Sequence, residues 1–568
     1  MKAKLKRLAK SVVQKGITET ADYYINCNRR SRDRLDLIRK YHLYPGKYQQ
    51  EEVELSYHPL ISIITPLYNT KECYLWELID SVRNQTYQNW ELCLADGSDA
   101  DHAYIEDICD EYGDDRIKYH RLDKNEGIVG NTNWCISFAN GQYYGLLDHD
   151  DVLHPMALYE CVKAINQGAD FIYTDEMKFS GQIEDSVDIV CKNDFSKYEL
   201  RSHNYICHFV VFKAQLLDDL EELYRTKCEG SQDYDMVLRL TEKAEKIVHI
   251  PKILYYWRVH EGSVAMDLSV KQYAVDAAKI AISDHLMRCG DKGSVECNYP
   301  YETIYRLTYD METFPTVSII WNGNISVRWQ RKYLDQMIKC TEYPSMEIIC
   351  RGQEEKNLSA RNIKLKVMKE QNLHRYVWAD QMSEKAGGEI LLFMDCTCIP
   401  QSREWLKELV MYAVKNDVGA VGPFVTVRLK RTVSAGSMLD SESESGIVNL
   451  NQGMDIAEQG YEANMKHVRG VASLPGFCMM VSKKKYENAG GFDASMGDYA
   501  DADFCLRLKE AGMENIWTPF SVVLSAKKVK YWEEENLTFV DKWICKQTDA
   551  SDRSGYWCHP LLKSLHDI

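Results

Sequence analysis

The chain has 568 residues, of which 45% are hydrophobic and 27% charged, and its formal net charge is −16. That length exceeds one typical domain, and the composition belongs to a folding globular protein rather than a disordered one. So acidic a balance excludes a protein that coats nucleic acid, whose phosphates demand a basic surface.

In chain order, the first feature is a basic leader. Lys2, Lys4, Lys6, Arg7, Lys10 and Lys15 precede the first acidic residue, with Leu5, Leu8 and Val12 at helical spacing. The pattern fits a helix lying on an anionic membrane surface, and it also fits a solvated helix with a narrow apolar face. A second basic stretch, Arg29, Arg30, Arg32 and Arg34, favours the membrane. No apolar run reaches the ~20 residues that span a bilayer.

Within His58 to Asn69, the apolar run Ile61 to Pro66 reads as a buried parallel strand closed by proline and asparagine. A helix follows from about Cys73 to Asn84, then a second strand, Trp90 to Ala95, that ends at Asp96-Gly97-Ser98. Helical signals around Tyr104 to Tyr112 and Asn131 to Asn140 lead to a strand, Tyr143 to Leu147, running into Asp148. Such alternation predicts the α/β class: an open, mostly parallel sheet, helices on both faces, and a ligand crevice at the carboxyl ends of the strands. Asn69, Asp96 and Asp148 all fall at those ends.

The pattern returns about 250 residues later. Phe314 to Ile320 echoes the first strand, Ala386 to Asp395 echoes Ala139 to Asp148, and Asp501 to Leu508 echoes Asp233 to Leu240. The chain is therefore expected to hold a leader (1–57), a first domain (58–290), a linker (291–313) and a second copy (314–568), with a solvated loop at Asp440 to Gly446. Nineteen cysteines lie scattered along it, which predicts free thiols; Cys396 and Cys398 have no second pair with which to build a zinc site.

Three constellations carry chemistry. Asp148-His149-Asp150-Asp151 sets two carboxylates one residue apart at a strand end, where both can turn toward one hard divalent cation. Such a cation stabilises charge on a departing diphosphate. In Gly230-Ser231-Gln232-Asp233-Tyr234-Asp235, Ser231 reads as an N-cap and Asp235 and Arg239 stand i,i+4. A carboxylate fixed at a helix start can take a proton from an attacking hydroxyl, which assigns Asp233 as base with Asp235 and Arg239 in support. Finally, in Ile250 to Ser263 an aromatic strand delivers His260.

The order Pro66-Leu67-Tyr68-Asn69, Asp96-Gly97-Ser98, Asn125-Glu126-Gly127, Asn133, Asp148-His149-Asp150-Asp151, Ser231-Gln232-Asp233-Tyr234-Asp235 and Trp257-Arg258-Val259-His260 resembles the family 2 inverting glycosyltransferases of bacterial surface polysaccharide synthesis. The resemblance covers about residues 58 to 290. It implies two tandem GT-A domains, the Rossmann-like fold of nucleotide-diphospho-sugar transferases. It further implies nucleotide-sugar contacts by Pro66, Tyr68, Asn69, Asp96, Asn125, Asn133 and Asp148, and Mg²⁺ or Mn²⁺ held by Asp148, Asp150 and His260. Asp151, Gln232, Asp235 and Arg239 would support them. The expected donor is a UDP- or dTDP-sugar and the acceptor a glycan, lipid-linked, met in the cytoplasm at the inner face of the membrane. Rhamnose, galactose and glucose all fit.

The second copy departs from the family at the residues that matter. Trp321-Asn322-Gly323-Asn324, Cys350-Arg351-Gly352 and Asp395-Cys396-Thr397-Cys398 replace the nucleoside and cation motifs, and Ser525 stands near the late histidine. Threonine and thiol hold a hard cation poorly, so this copy is expected to be catalytically dead and to dock the acceptor. Rival readings are a two-headed polymerase, a sugar nucleotidyltransferase and a non-catalytic glycan-binding scaffold. The Pro66-Leu67-Tyr68-Asn69 turn speaks against the nucleotidyltransferase because it is neither glycine-rich nor basic.

Overall fold

The computed structural model describes residues 54–259, 272–298, 301–323, 327–352, 356–360, 363–369, 373–427, 430–441, 443–526 and 537–545. The basic stretches of the leader and His260 lie outside them. The described residues divide into two compact units. One takes the chain up to Lys192 and again over Tyr205–Ala281; the other takes Asn193–Asn204 and the chain from Ile282.

The first unit alternates as its sequence predicts: β1 (Ile61–Leu67), α1 (Glu72–Arg83), β2 (Trp90–Asp96), α2 (Tyr104–Tyr112), β3 (Ile117–Arg121), α3 (Gly127–Phe138) and β4 (Tyr143–Leu146). Then come β5 (Val152–Leu153), α4 (Ala157–Asn166), β6 (Phe171–Ser180), β7 (Gln182–Val190), β8 (Val210–Lys213), α5 (Gln232–Thr241) and β9 (Ile247–Arg258). The strands form one sheet in the order β3-β2-β1-β4-β8-β6-β9-β5, with β7 beside β6. β1 to β4, β6 and β9 run one way; β8 runs against both its neighbours.

Strand period two sorts the core into two layers. Ile61, Ile63 and Leu67 of β1 pack with Leu75 and Ile79 of α1, Ile105 and Ile108 of α2 and Leu158 of α4. Ile64 faces the other way, with Cys93, Ala95 and Cys135 of α3. Helices thus cover both faces. All seven residues of β1 and of β2 are buried, which is why these strands read as continuous apolar runs.

The second unit opens with a hairpin, β10 (Gly293–Cys297) and β11 (Tyr305–Tyr309), in the stretch expected to be a linker. Tyr305, Leu307 and Tyr309 alternate into the interior, a period-two strand signal completed by Arg306 and Thr308 between them. The main sheet holds β12 (Val317–Asn322), β13 (Met346–Gly352), β14 (Lys356–Ala360), β15 (Ile363–Lys369), β16 (Ile390–Asp395), β17 (Ile399–Pro400) and β18 (Val418–Thr426). After four short strands, β19 (Thr432–Ser434), β20 (Ser437–Leu439), β21 (Ile447–Asn449) and β22 (Arg469–Gly470), it gains β23 (Cys478–Ser482) and β24 (Glu514–Leu524). Beyond an added edge strand, β14, antiparallel to β15, its path β15-β13-β12-β16-β23-β18-β24-β17 repeats the first unit's order and directions.

Helix Lys197–Ser202 belongs to this second unit although its sequence lies inside the stretch expected to form the first domain. Arg201, fully buried, meets Asp291 at 2.9 Å, the Tyr309 hydroxyl at 3.0 Å and His285 at 2.9 Å.

Candidate active site

Parallel pairing sets Leu67 opposite Asp96, so the loops after β1 and β2 start side by side. Asn69 joins them: its main-chain N–H donates to Ser98 Oγ at 2.7 Å, its Nδ2 donates to Asp99 Oδ2 at 2.8 Å, and its Oδ1 accepts from Asp99 N at 2.9 Å. Beside it the Tyr68 ring is exposed. Pro66 lies buried in β1 beyond the last pair with β4, Ile64 with Leu146, where the ladder on that side has opened.

Asp96 is fully buried. Its Oδ1 accepts the Ser98 N–H at 2.9 Å, and its Oδ2 accepts the Tyr119 hydroxyl at 2.8 Å and Arg121 Nη1 at 2.5 Å. Asn125 Oδ1 accepts from Gly127 N and Asn131 Nδ2, while Asn133 clamps both main-chain polar atoms of Tyr224 at 2.9 and 3.0 Å. These three side chains therefore shape the rim through bonds within the protein. Gly97 is required here, because a Cβ would stand 2.8 Å from Asn131 Nδ2 and 3.0 Å from Asn125 Cα.

The acidic turn follows β4 and is held by β9. Asp151, 1% exposed, accepts the Tyr255 hydroxyl at 2.5 Å and the Arg258 N–H at 2.7 Å. Arg258 Nε donates to the Asp150 carbonyl at 2.6 Å, with its guanidinium over the rings of Tyr74 and Phe179. Burial, aided by the charges of Asp150 and Asp148, pushes the Asp151 carboxyl well above the usual range. Asp148 points outward with its side chain 50% exposed. Burial opposes its ionisation, but His208 and His149 outweigh that and hold it below the usual range. Asp148 and Asp150 offer hard oxygen donors with no thiolate nearby in the turn, a set that suits Mg²⁺ or Mn²⁺ with diphosphate oxygens and water completing the shell.

His208 sits behind Asp148. Its Nε2 is 3.4 Å from Asp148 Oδ2, and its Nδ1 is 3.6 Å from Glu176 Oε2. The ring stacks on Tyr255 and leans against Trp257. Glu176 in turn pairs with Lys192 at 3.0 Å, both side chains buried, and Lys192 donates to the carbonyls of Ile206 and His208.

Helix α5 presents Asp233 in its first turn. Ser231 occupies the N-cap position, but its hydroxyl donates to the Ala274 carbonyl at 2.9 Å instead of capping, which corrects the expected role. Gln232 Oε1 accepts the Gly230 N–H at 2.8 Å. Asp235 is fully buried between Arg225 and Arg239, each donating through Nε at 2.8 Å. Arg239 also reaches the carbonyls of Glu222 and Leu223. Burial raises the Tyr224 pKa well above the ordinary value, and the charges of Asp233 and Asp148 raise it further.

The equivalent turn of the second unit is closed on itself. Asp395 Oδ1 accepts the Thr397 N–H at 2.9 Å and its hydroxyl at 2.6 Å. Asp501, buried, accepts the N–H groups of Gly476 and Ala502. Asp503 and Arg507 repeat the Asp235–Arg239 pair at 2.8 Å.

Residues 62–217 match the family model described as Glycosyl transferase family 2. That stretch is a family 2 glycosyl transferase domain. The chain is 31% identical over 496 residues to the uncharacterized protein y4gI of Sinorhizobium fredii, covering 84% of this chain and 54% of that one. It is 28% identical over 490 residues to the O-antigen biosynthesis protein RfbC of Myxococcus xanthus, covering 83% and 37%. It is also 30% identical over 236 residues to a hyaluronan synthase of Pasteurella multocida, covering 41% and 24%. The chain thus spans about half the length of the first relative and about a third of the second.

His208, Glu176, Lys192 and Tyr224 of the transferase domain escaped the sequence reading. That reading sought functional groups at the carboxyl ends of parallel strands. β8 is antiparallel to β4, so its amino end lies at that same rim, and the signal is the histidine that precedes the apolar run Phe209–Phe212.

Proposed function

We propose that the chain is a metal-dependent, inverting glycosyl transferase that moves a sugar from a nucleoside-diphosphate donor onto a glycan acceptor in polysaccharide synthesis. The names of two relatives, an O-antigen biosynthesis protein and a hyaluronan synthase, support the pathway class. Supporting the mechanism, the loop that carries Tyr224 is tied to the rim by Asn133 and to α5 by Arg225 and Arg239, and the Tyr224 phenol feels the charges of both Asp233 and Asp148.

In this reading Asp148 and Asp150 would hold Mg²⁺ or Mn²⁺, which would supply Lewis-acid stabilisation of charge on a departing diphosphate. Tyr68 and the loops joined by Asn69 receive the nucleoside, with His260 as a further cation contact. Asp233 accepts the proton of the acceptor hydroxyl as its oxygen forms the new bond to the anomeric carbon and the bond to the diphosphate breaks, inverting that centre. Asp235, locked by two arginines, fixes the turn that carries Asp233. The second unit, with Thr397 folded onto Asp395, docks the acceptor without catalysing transfer. The basic leader brings the enzyme to the inner face of the cell membrane and its lipid-linked acceptor, which co-sedimentation with anionic vesicles tests.

Thermal-shift measurement against UDP-, dTDP- and GDP-sugars with Mn²⁺ identifies the donor, since a ligand of the native state raises its melting temperature. With that donor, Asp233→Asn is expected to retain binding and lose ~10²–10⁴-fold in turnover. Turnover within twofold of the parent would remove Asp233 from the role of base.

A further inference from the structure

Because both units share one strand order, the ladder registers assign each rim residue of one a counterpart in the other. β4 pairs Tyr143 with Lys213, and β16 pairs Ile390 with Ser482; counting back along β8 and β23 sets His208 against Phe477. β6 pairs Glu176 with Tyr255, and β18 pairs Val425 with Val523. The short strands agree, Leu153 facing Tyr255 and Pro400 facing Val523, which also sets Trp257 against Ser525. By the same registers Asp148 corresponds to Asp395 and Asp150 to Thr397.

The second unit therefore closes the same architecture with Phe477, Val425, Val523 and Ser525 where the first has His208, Glu176, Tyr255 and Trp257. The polar cluster is not a requirement of the fold. A buried Glu–Lys pair with an imidazole against it is costly to bury, and apolar residues fill such a place at least as stably. The cluster is absent from the unit whose cation turn has lost its second carboxylate.

We propose that His208 is a positioning residue for Asp148. Braced by Glu176 and Lys192 and wedged between Tyr255 and Trp257, the imidazole holds the half-exposed Asp148 carboxylate in the orientation that takes up the divalent cation. This inference rests on the metal-dependent reading above and adds a residue to it. Groups behind a ligand that fix its orientation commonly govern metal affinity.

The test is Mn²⁺ affinity of the full chain, read by calorimetry or by Mn²⁺ electron paramagnetic resonance with UDP present, so that no turnover is involved. His208→Phe, the residue of the second unit, is expected to weaken Mn²⁺ binding ~10–100-fold, leave UDP binding in EDTA unchanged, and raise the KM for Mn²⁺ more than it lowers kcat. His208→Gln, which keeps an N–H donor, is expected to recover most of the affinity, and Glu176→Gln to lose part of it. If His208→Phe does not fold, those two variants decide. Mn²⁺ binding within twofold of the parent in the His208 variants, with Asp148→Asn having lost it, overturns this inference and leaves the metal reading standing. Unchanged binding in Asp148→Asn overturns both. Equal loss of UDP binding in EDTA would mark a collapsed site and overturns the positioning role.

Discussion

His154 carries a pH dependence of its own. The ring is 1% exposed and its Nδ1 accepts the Met156 N–H at 3.1 Å. Burial first, and Lys252 second, lower its pKa from 6.5 to about 4. The imidazole is neutral in the fold and protonates readily once unfolded, so its contribution is complete above pH 6.5 and drains away as the pH falls toward 4, by roughly 3 kcal/mol. Urea unfolding at about pH 7 and about pH 4.5 should show the parent losing more stability than His154→Gln; parallel losses would assign the acid sensitivity elsewhere. At this scale the sequence makes contiguous groups visible, such as Asp148-His149-Asp150-Asp151 and the acids around Asp233, whose roles are those proposed above. Asp96 was legible as a strand-end acid, but its engagement by Tyr119 and Arg121 was not, since those partners arrive on β3. His208 was hidden because its meaning comes from Asp148, on another strand.

Among elements, α5 shows how a site is held still. Asp235 is the shared anchor of Arg225 and Arg239, which tie the helix to the preceding loop. Asp235→Ala removes the buried carboxylate to which both guanidinium groups donate, and is expected to cost about 3–5 kcal/mol, read as a lowered midpoint of chemical unfolding. A change below 1 kcal/mol would show the arginines relaxing to solvent. The apolar runs of β1 and β2 announced themselves because strands buried on both faces need not alternate. β8 did not, since an antiparallel insertion carries no periodicity that sets it apart. The β10–β11 hairpin carries an alternating strand signal in Tyr305, Leu307 and Tyr309, but five-residue strands in a polar stretch between two domains resemble a linker.

At the scale of the whole molecule, the repeat seen in three sequence echoes extends to a common strand path. A shared strand path with unequal turns predicts unequal roles: Asp233→Asn should lose ~10²–10⁴-fold in transfer, the range of a lost general base, whereas Asp501→Asn should retain it within about twofold. Equal loss in a sugar-transfer assay would make both units catalytic. The path of the chain has a practical outcome as well. It leaves the first unit after Lys192, contributes Asn193–Asn204 to the second, and returns at Tyr205. A protein cut at Gly290 would keep Arg201 but lose Asp291 and Tyr309, stranding a cation that the intact molecule hides completely. Such a half-length protein is expected to emerge insoluble or bound to chaperones, while one from which residues 193–204 are replaced by a short glycine–serine bridge before the same cut should express better. The two halves of this gene product are laced together like a shoe, and no single scissor cut frees either one.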